Sequence, residues 1–319
     1  MNNMFVNFLI ASIVSGAPLL FATVGEILTE KAGNLNLGVE GMMWMGALAG
    51  FYVAYKTESV TLAIFSAFCF AALGAFIYAL LTVTFKANQN VTGLTLTTFG
   101  IGLSTVLGYA MTSAEGGAPK VSDGVKAALS SLNIPLLSKI PVIGPIVFNH
   151  NILVYLGIFI AVLCAFYLKK TRTGLNVRAV GENPAAADAA GINVTRAKYL
   201  NIIIGGGICG IGGAYMSLIT ANGSWQPGGI VNGSGWIAVA LVIFVSWSPL
   251  KAILGSFVFG AFNALSNYVP ASVIEIPISI YQMLPFILTI LVLIITSIRE
   301  SRENSQPAGC GVNYFREDR

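Results

Sequence analysis

Long stretches without a single charged side chain are what most restrict this sequence. Phe5 to Gly25, Val60 to Phe85, Ala87 to Ala114, Asn151 to Leu168, Ala252 to Ile274 and Ile276 to Ile298 contain no Asp, Glu, Lys or Arg. Tyr199 to Leu250 holds none either, and its 52 residues allow two membrane crossings around a polar break. A helix needs only about 20 apolar residues to cross the hydrocarbon core. Soluble domains carry charge on about 25% of their residues, whereas here 9% are charged and 55% apolar. The pattern predicts an all-α, polytopic integral membrane protein in a lipid bilayer.

Nine spans are expected, with eight and ten as bounds: about 5–25, 35–55, 60–85, 91–112, 151–168, 199–220, 236–248, 251–269 and 280–298. The first run lacks a basic flank and a small-residue cleavage site, so it reads as a span and not a signal peptide. Placing the 169–198 loop in the cytoplasm puts 13 of the 17 Lys and Arg residues inside and only Lys56, Lys120, Lys126 and Lys139 outside. That asymmetry sets the N-terminus outside and the C-terminus in the cytoplasm. Residues 1–298 form one transmembrane domain with an extracellular loop at 113–150, holding a short helix near Val125 to Leu132. The polar tail 299–319 is expected to be disordered.

The second and seventh spans are interrupted, by Glu40 and by the uncharged stretch Ala221 to Gly235. Backbone at membrane depth breaks its helix only where protein or a water-filled cavity satisfies the freed groups. Both breaks therefore point to a transport route. Gly205 to Ala214 contains six glycines, with Gly206 and Gly210 spaced as a GxxxG pair. Such small-residue faces let transmembrane helices approach closely, so a packing face is expected there, with a sliding helix as the alternative.

Catalytic constellations are missing from the sequence. His150 is the sole histidine, no phosphate-binding G-x-x-x-x-G-K-[ST] loop occurs, and the four cysteines show no ligand spacing. No enzyme activity, metal, cofactor or nucleic-acid partner is expected. Glu40 is the one clear intramembrane acid, with Glu26 and Glu30 near the inner face. A carboxylate at that depth is costly and is functional or paired. It should therefore face the route or take a buried hydrogen bond, for instance one pinning the Asn34–Gly41 turn. A proton-coupled carrier would show more such groups, so the driving energy comes from elsewhere.

Arg178 to Gly191 spells out a short helix in the basic cytoplasmic loop. Asn183 suits the N-cap and Pro184 the first helical position. Ala185 to Ala190 are strong helix formers around Asp188, and Gly191 suits a left-handed end. So short a helix is unstable alone, and a docking role or a capped surface turn are the two readings.

Two segments carry a family resemblance. Glu30-Lys-Ala-Gly-Asn-Leu-Asn-Leu-Gly-Val-Glu-Gly41 resembles the N-terminal segment of permease subunits of ABC importers, in the branch serving simple sugars, nucleosides and branched-chain amino acids. Gly181 to Ile192 resembles the loop that couples such permeases to their ATPases, with Ala185 where the wider E-A-A-x-x-x-G pattern has Glu. Similarity extends from about Pro18 to Ile298, and the N-L-G-x-E-G portion is most like nucleoside permeases. The resemblance implies a bacterial plasma-membrane complex. Its parts would be two permease subunits (identical or not), cytosolic ATP-binding subunits and an extracellular, lipid-anchored solute-binding protein. Relatives often have ten spans with both termini inside, so nine would fit with the first helix missing.

On this reading Arg178, Gly181, Glu182, Asn183, Pro184, Ala186, Ala187 and Gly191 form the ATPase contact. Asn36, Glu40, Asn90, Trp225 and Asn263 are candidate route residues, and Asn88, Gln89, Asn222, Gln226 and Asn267 are further amides near the spans. Each amide also suits a cap or an interhelical bond. The near absence of charge suits a neutral solute, a nucleoside first, with a simple sugar or branched-chain amino acid as alternatives. A secondary carrier is the remaining alternative, and it usually shows paired broken helices in its two halves.

Overall fold

The computed structural model of the 319-residue chain describes residues 2–133, 143–226, 228–268 and 305–315, with positions 280, 283–284, 286–291 and 294. α1 (Asn2–Lys31), α2 (Val39–Thr57), α3 (Val60–Ala79) and α4 (Gln89–Ala114) come first. The outer connection holds α5 (Asp123–Ala128) and α6 (Ile143–Phe148), and β1 (Leu132–Asn133) pairs antiparallel with β2 (Asn149–His150). α7 (Ile152–Lys170), α8 (Arg172–Glu182) and α9 (Pro184–Ala189) lead to α10 (Val194–Tyr215), α11 (Ser234–Phe244) and α12 (Pro249–Tyr268). π-turns at Leu80–Thr84 and Met216–Thr220 prolong α3 and α10.

Local chemistry sets many of these boundaries. Asn88, Asn151, Thr171 and Asn193 each accept a hydrogen bond from an amide three residues on, at 3.1, 3.1, 3.0 and 2.8 Å. These are N-caps that satisfy donors a helix start leaves free. Among the described residues five helices are long and apolar enough to cross a membrane: Met4–Lys31, Val60–Thr84, Gln89–Ala114, Ile152–Lys170 and Val194–Thr220. α2 runs beside α4 from the Gly41–Leu96 contact to the Lys56–Glu115 ion pair at 3.1 Å.

The expected span at 236–248 takes another form. α11 has 11 residues, about 16 Å at 1.5 Å per residue, against a core about 30 Å thick. It is a half-helix, because the residues before it form irregular chain and not a first turn. The expected span at 280–298 is helical at the described positions and otherwise lies outside the described residues.

α10 occupies the centre, against α1, α2 and α3. A Cβ on Gly46 would run into the backbone of Gly210, and one on Gly25 into that of Gly205. Backbones in contact gain van der Waals packing that larger side chains would prevent. The glycine cluster is thus a packing face, as its composition suggests. Lys31, Lys86, Arg178, Lys198 and Lys251 gather at one end of the bundle, and Lys56, Lys120 and Lys126 lie at the other. That separation agrees with the orientation read from charge.

Candidate functional site

The cytoplasmic face is built on α8 and α9. Asn183 is extended, its side-chain oxygen accepts the Ala186 amide at 3.0 Å, and Pro184 opens α9. The Gly191 and Ile192 amides bond back to Asp188 and Ala187 at 2.9 and 3.0 Å, with Gly191 at φ 82°. The helix therefore has the start and end its residues encode. Ala187, however, is buried with Val180 and Val194 against Ala179, Ile192, Ala197 and Tyr314. Its packing is internal because Ala187 lies on the inner side of a single turn. Glu182, Asn183, Ala185, Ala186, Ala189 and Gly191 face outward, as does Arg178 on α8.

The two motifs, about 150 residues apart in sequence, meet in space. A Cβ on Gly33, at φ 85°, would stand 3.2 Å from the Cα of Gly181 and 3.5 Å from the Gly309 oxygen. Backbone bonds from Ala32, Gly33 and Asn34 to the end of α1 begin the turn 32–38, and side chains close the rest of it. The Leu35 and Asn36 amides donate to Gln89 and Glu26 at 2.8 and 3.1 Å, and the Gly38 amide donates to Asn36 at 2.9 Å. Tyr78 and Thr97 hydroxyls donate to the Leu35 and Leu37 carbonyls at 2.6 and 2.8 Å. Lys198 donates to the Gly33 carbonyl at 3.3 Å.

Residues 305–315 were expected to be disordered, and they instead form a strap across this face. The Gly309 amide donates to the Gly181 carbonyl at 2.8 Å, and Tyr314 donates to Asp188 at 2.7 Å. Asn313 donates to the Lys86 and Ala87 carbonyls at 2.6 and 3.1 Å and accepts from Gln89 at 3.1 Å. Burial pushes the Cys310 thiol up and the Lys86 ammonium down from their ordinary ranges. The aromatic pair Tyr314–Phe315 was the one available signal, since the polar composition hid the docking.

The second break is organised by Glu40. Trp225 is fully buried and packs on Phe51, with ring centroids 5.4 Å apart, and its Nε1 has no hydrogen-bond partner among the described residues. From there the chain descends beside α2 to Gly233, a drop of about 16 Å at 1.5 Å per residue of α2. Within 221–233, Asn222, Gly223, Gly228, Asn232 and Gly233 all have positive φ. At the bottom the Glu40 carboxylate, 3% exposed, accepts the Gly233 and Gly235 amides at 2.9 and 2.6 Å. Those amides open α11, so a negative charge sits at the positive end of a half-helix. Glu40 is turned from lipid and bonds this second break, while Glu26 holds the Asn34–Gly41 turn.

The other route candidates do not converge on Glu40. Asn36 is buried inside its own turn, Asn90 is exposed at the cytoplasmic start of α4, and Asn263 is exposed on α12. Asn88 and Gln89 serve as cap and turn clamp. The side chain of Asn267 lies outside the described residues.

Residues 8–293 match the family described as branched-chain amino acid transport system / permease component. A Haloferax volcanii protein named as a glucose ABC transporter permease is 37% identical over 260 residues, 80% of this chain and 75% of its own. The nucleoside ABC transporter permease protein of Lactococcus lactis is 34% identical over 95% of both chains. The guanosine ABC transporter permease protein of Bacillus subtilis is 32% identical over 89% of both. Among solved structures, a chain titled as a metal-chelate type ABC transporter in an inward-facing conformation superposes with a TM-score of 0.50. It is 15% identical, over 90% of this chain and 85% of that one.

Proposed function

The chain belongs to the branched-chain amino acid transport system / permease component family, and we propose that its own cargo is a nucleoside. It is a helical, membrane-spanning permease subunit of an ABC transporter, a class that works with ATP-binding subunits and a solute-binding protein. Permease subunits of this kind are not themselves enzymes.

The observation that carries the cargo reading is the occupied end of α11. A half-helix N-terminus at membrane depth is the natural partner of a substrate carboxylate, and here Glu40 already fills it. An amino acid would meet a like charge there, whereas a neutral solute meets none. Among neutral solutes, the Lactococcus lactis nucleoside-named and Bacillus subtilis guanosine-named relatives described above align over 95% and 89% of this chain, against 80% for the glucose-named Haloferax volcanii relative. The glucose-named relative favours a simple sugar as the second reading.

On this proposal the outward side of α9, from Glu182 to Gly191, seats in a groove of the ATP-binding subunit as a short docked helix. Movement there passes through the Gly33–Gly181 contact to the 32–38 turn and α2, and Glu40 carries it to α11. A second permease subunit, identical or similar, completes the route, and a lipid-anchored binding protein delivers the solute.

The test is uptake of labelled uridine or adenosine in cells with and without the gene, with ribose and leucine as competitors. Uptake should fall in the deletion and resist both competitors. Intact nucleoside uptake together with lost sugar uptake would move the assignment to a sugar permease.

A further inference from the structure

The strap 305–315 is anchored on two elements that lie far apart in sequence. One is the α8–α9 segment. The Gly309 amide bonds the Gly181 carbonyl at 2.8 Å, the Ala308 amide bonds the Glu182 carboxylate at 3.3 Å, and Tyr314 reaches Asp188. The approach is close, since a Cβ on Gly309 would stand 2.8 Å from the Gly181 oxygen and 3.2 Å from Pro184. The other anchor is the corner 85–88 between α3 and α4. Asn313 uses both of its donors there, on the Lys86 and Ala87 carbonyls at 2.6 and 3.1 Å.

That corner is irregular on both sides of its clamp. α3 ends in the π-turn Leu80–Thr84, a wide turn rare outside functional positions, and the Ala87 amide folds back to the Leu81 carbonyl at 2.9 Å. Lys86 itself sits at φ 55°, in the left-handed region uncommon for a residue with a side chain. Among the described residues Asn313 is the one side chain bonded to either carbonyl. Gln89 joins the same node: its oxygen accepts the Leu35 amide at 2.8 Å while its nitrogen donates to Asn313 at 3.1 Å. Strap, corner and the 32–38 turn thus meet at one side-chain amide.

The bundle does not need this bridge to hold together, because α3 packs on α2 and α10, and α4 packs on α2. Ordering a polar segment costs conformational entropy, and the bonds that offset it here tie α9 to the corner. The seam between α2 and α4 supplies a use for such a tie. A Cβ on Gly100 would run into the backbone of Gly41, so the two helices are fitted too closely to shift out of step.

We propose that the strap is a strut through which α9 moves the α3–α4 corner, with Asn313 as the positioning residue at its far end. The proposal rests on the reading of α9 as the contact for the ATP-binding subunit. Movement of α9 then has two outlets. The Gly33–Gly181 contact leads to α2, the strap leads to α4, and the two helices are driven together.

Hydrogen exchange on the assembled transporter in nanodiscs, without nucleotide and with ATP and vanadate, provides the test. In the wild type both 182–191 and 85–92 should change their exchange rates. Asn313→Ala should keep its ATP-binding subunits, its thermal midpoint and the change at 182–191, and should lose the change at 85–92 several-fold. Gly309→Val, which lifts the other end of the strap, should give the same split. Asn313→Asp, which cannot donate to the two carbonyls, should match Asn313→Ala, whereas Asn313→Gln should recover part of the change. A change at 85–92 that survives Asn313→Ala and Gly309→Val, or that vanishes only together with the change at 182–191, overturns the proposal. No change at 182–191 in the wild type would instead remove α9 as the docked element, and the strut with it.

Discussion

The two irregular segments at membrane depth, 32–38 and 221–233, solve the same problem in opposite ways. Six side-chain hydrogen bonds, from α1, α3, α4, α10 and within the turn, hold the first. The second is tied at its top by backbone bonds to Pro119 and Val121, and at its bottom Glu40 is the one side chain among the described residues that bonds it. Redundant bonds make a fixed junction, because losing one leaves the rest in register. A single carboxylate with five positive-φ residues above it makes an element that one change releases.

The largest effect should therefore come from Glu40→Ala. It strands the buried Gly235 amide and the part-buried Gly233 amide, at about 1–3 kcal/mol for a fully buried group, and frees α11. Transport should drop more than about tenfold, worth 1.4 kcal/mol, with the protein still inserted. Glu40→Gln, which keeps one acceptor, should lose less. Wild-type uptake and thermal midpoint for Glu40→Ala would erase the contrast between the two segments.

Next in size is Ala186→Arg on the outward side of α9. It should weaken association with the ATP-binding subunit in pull-down while expression and folding hold. Ala187→Arg, one residue along, should instead damage the chain's own packing, as burying an unpaired charge does. Equal folding losses in both variants would remove α9 as a docking element.

Smaller still is Tyr314→Ala, which cuts the strap from Asp188. Burial raises the Cys310 thiol above its ordinary range, so little thiolate exists near pH 8 while the strap is docked. In a Cys69→Ser background, Tyr314→Ala should speed maleimide labelling of Cys310 several-fold. An unchanged rate would mean that the strap holds without Tyr314.

The smallest effects belong to the redundant junction. Tyr78→Phe and Thr97→Val each remove one of its bonds, costing about 0.5–1.5 kcal/mol, and should leave uptake nearly intact. A collapse of transport from either would show that the junction is no more redundant than the half-helix.

Legibility in the sequence followed distance along the chain. The α9 helix was readable in full because Asn183, Pro184 and Gly191 act within a few residues of themselves. The apolar runs located the long helices, and the uncharged stretch 221–235 located the second break. What joined Glu40 to Gly233 and Gly235 was not readable, since those residues lie more than 190 positions apart and no local rule relates them. Ala187 was readable as helix but not as inward-facing, because a one-turn helix has no periodicity to reveal its buried side. The strap was hidden for a different reason: half of its bonds run to backbone carbonyls of other segments, which no composition records.

The glycine seam of α10 bears on how the protein is made. α10 leaves the ribosome roughly 110 residues after α3 ends, a delay of about 5–20 seconds at ordinary translation speed. During that interval α1, α2 and α3 sit in the bilayer with the slot at Gly25, Gly46 and Ala71 unfilled. α7 emerges earlier, yet it carries one glycine, Gly157, among bulky aliphatic and aromatic side chains. A slot that admits only backbone turns such a helix away. The narrowness of the seam thus acts as a timekeeper, holding the place against bulky helices such as α7 for a segment, synthesised late, that is thin enough to enter.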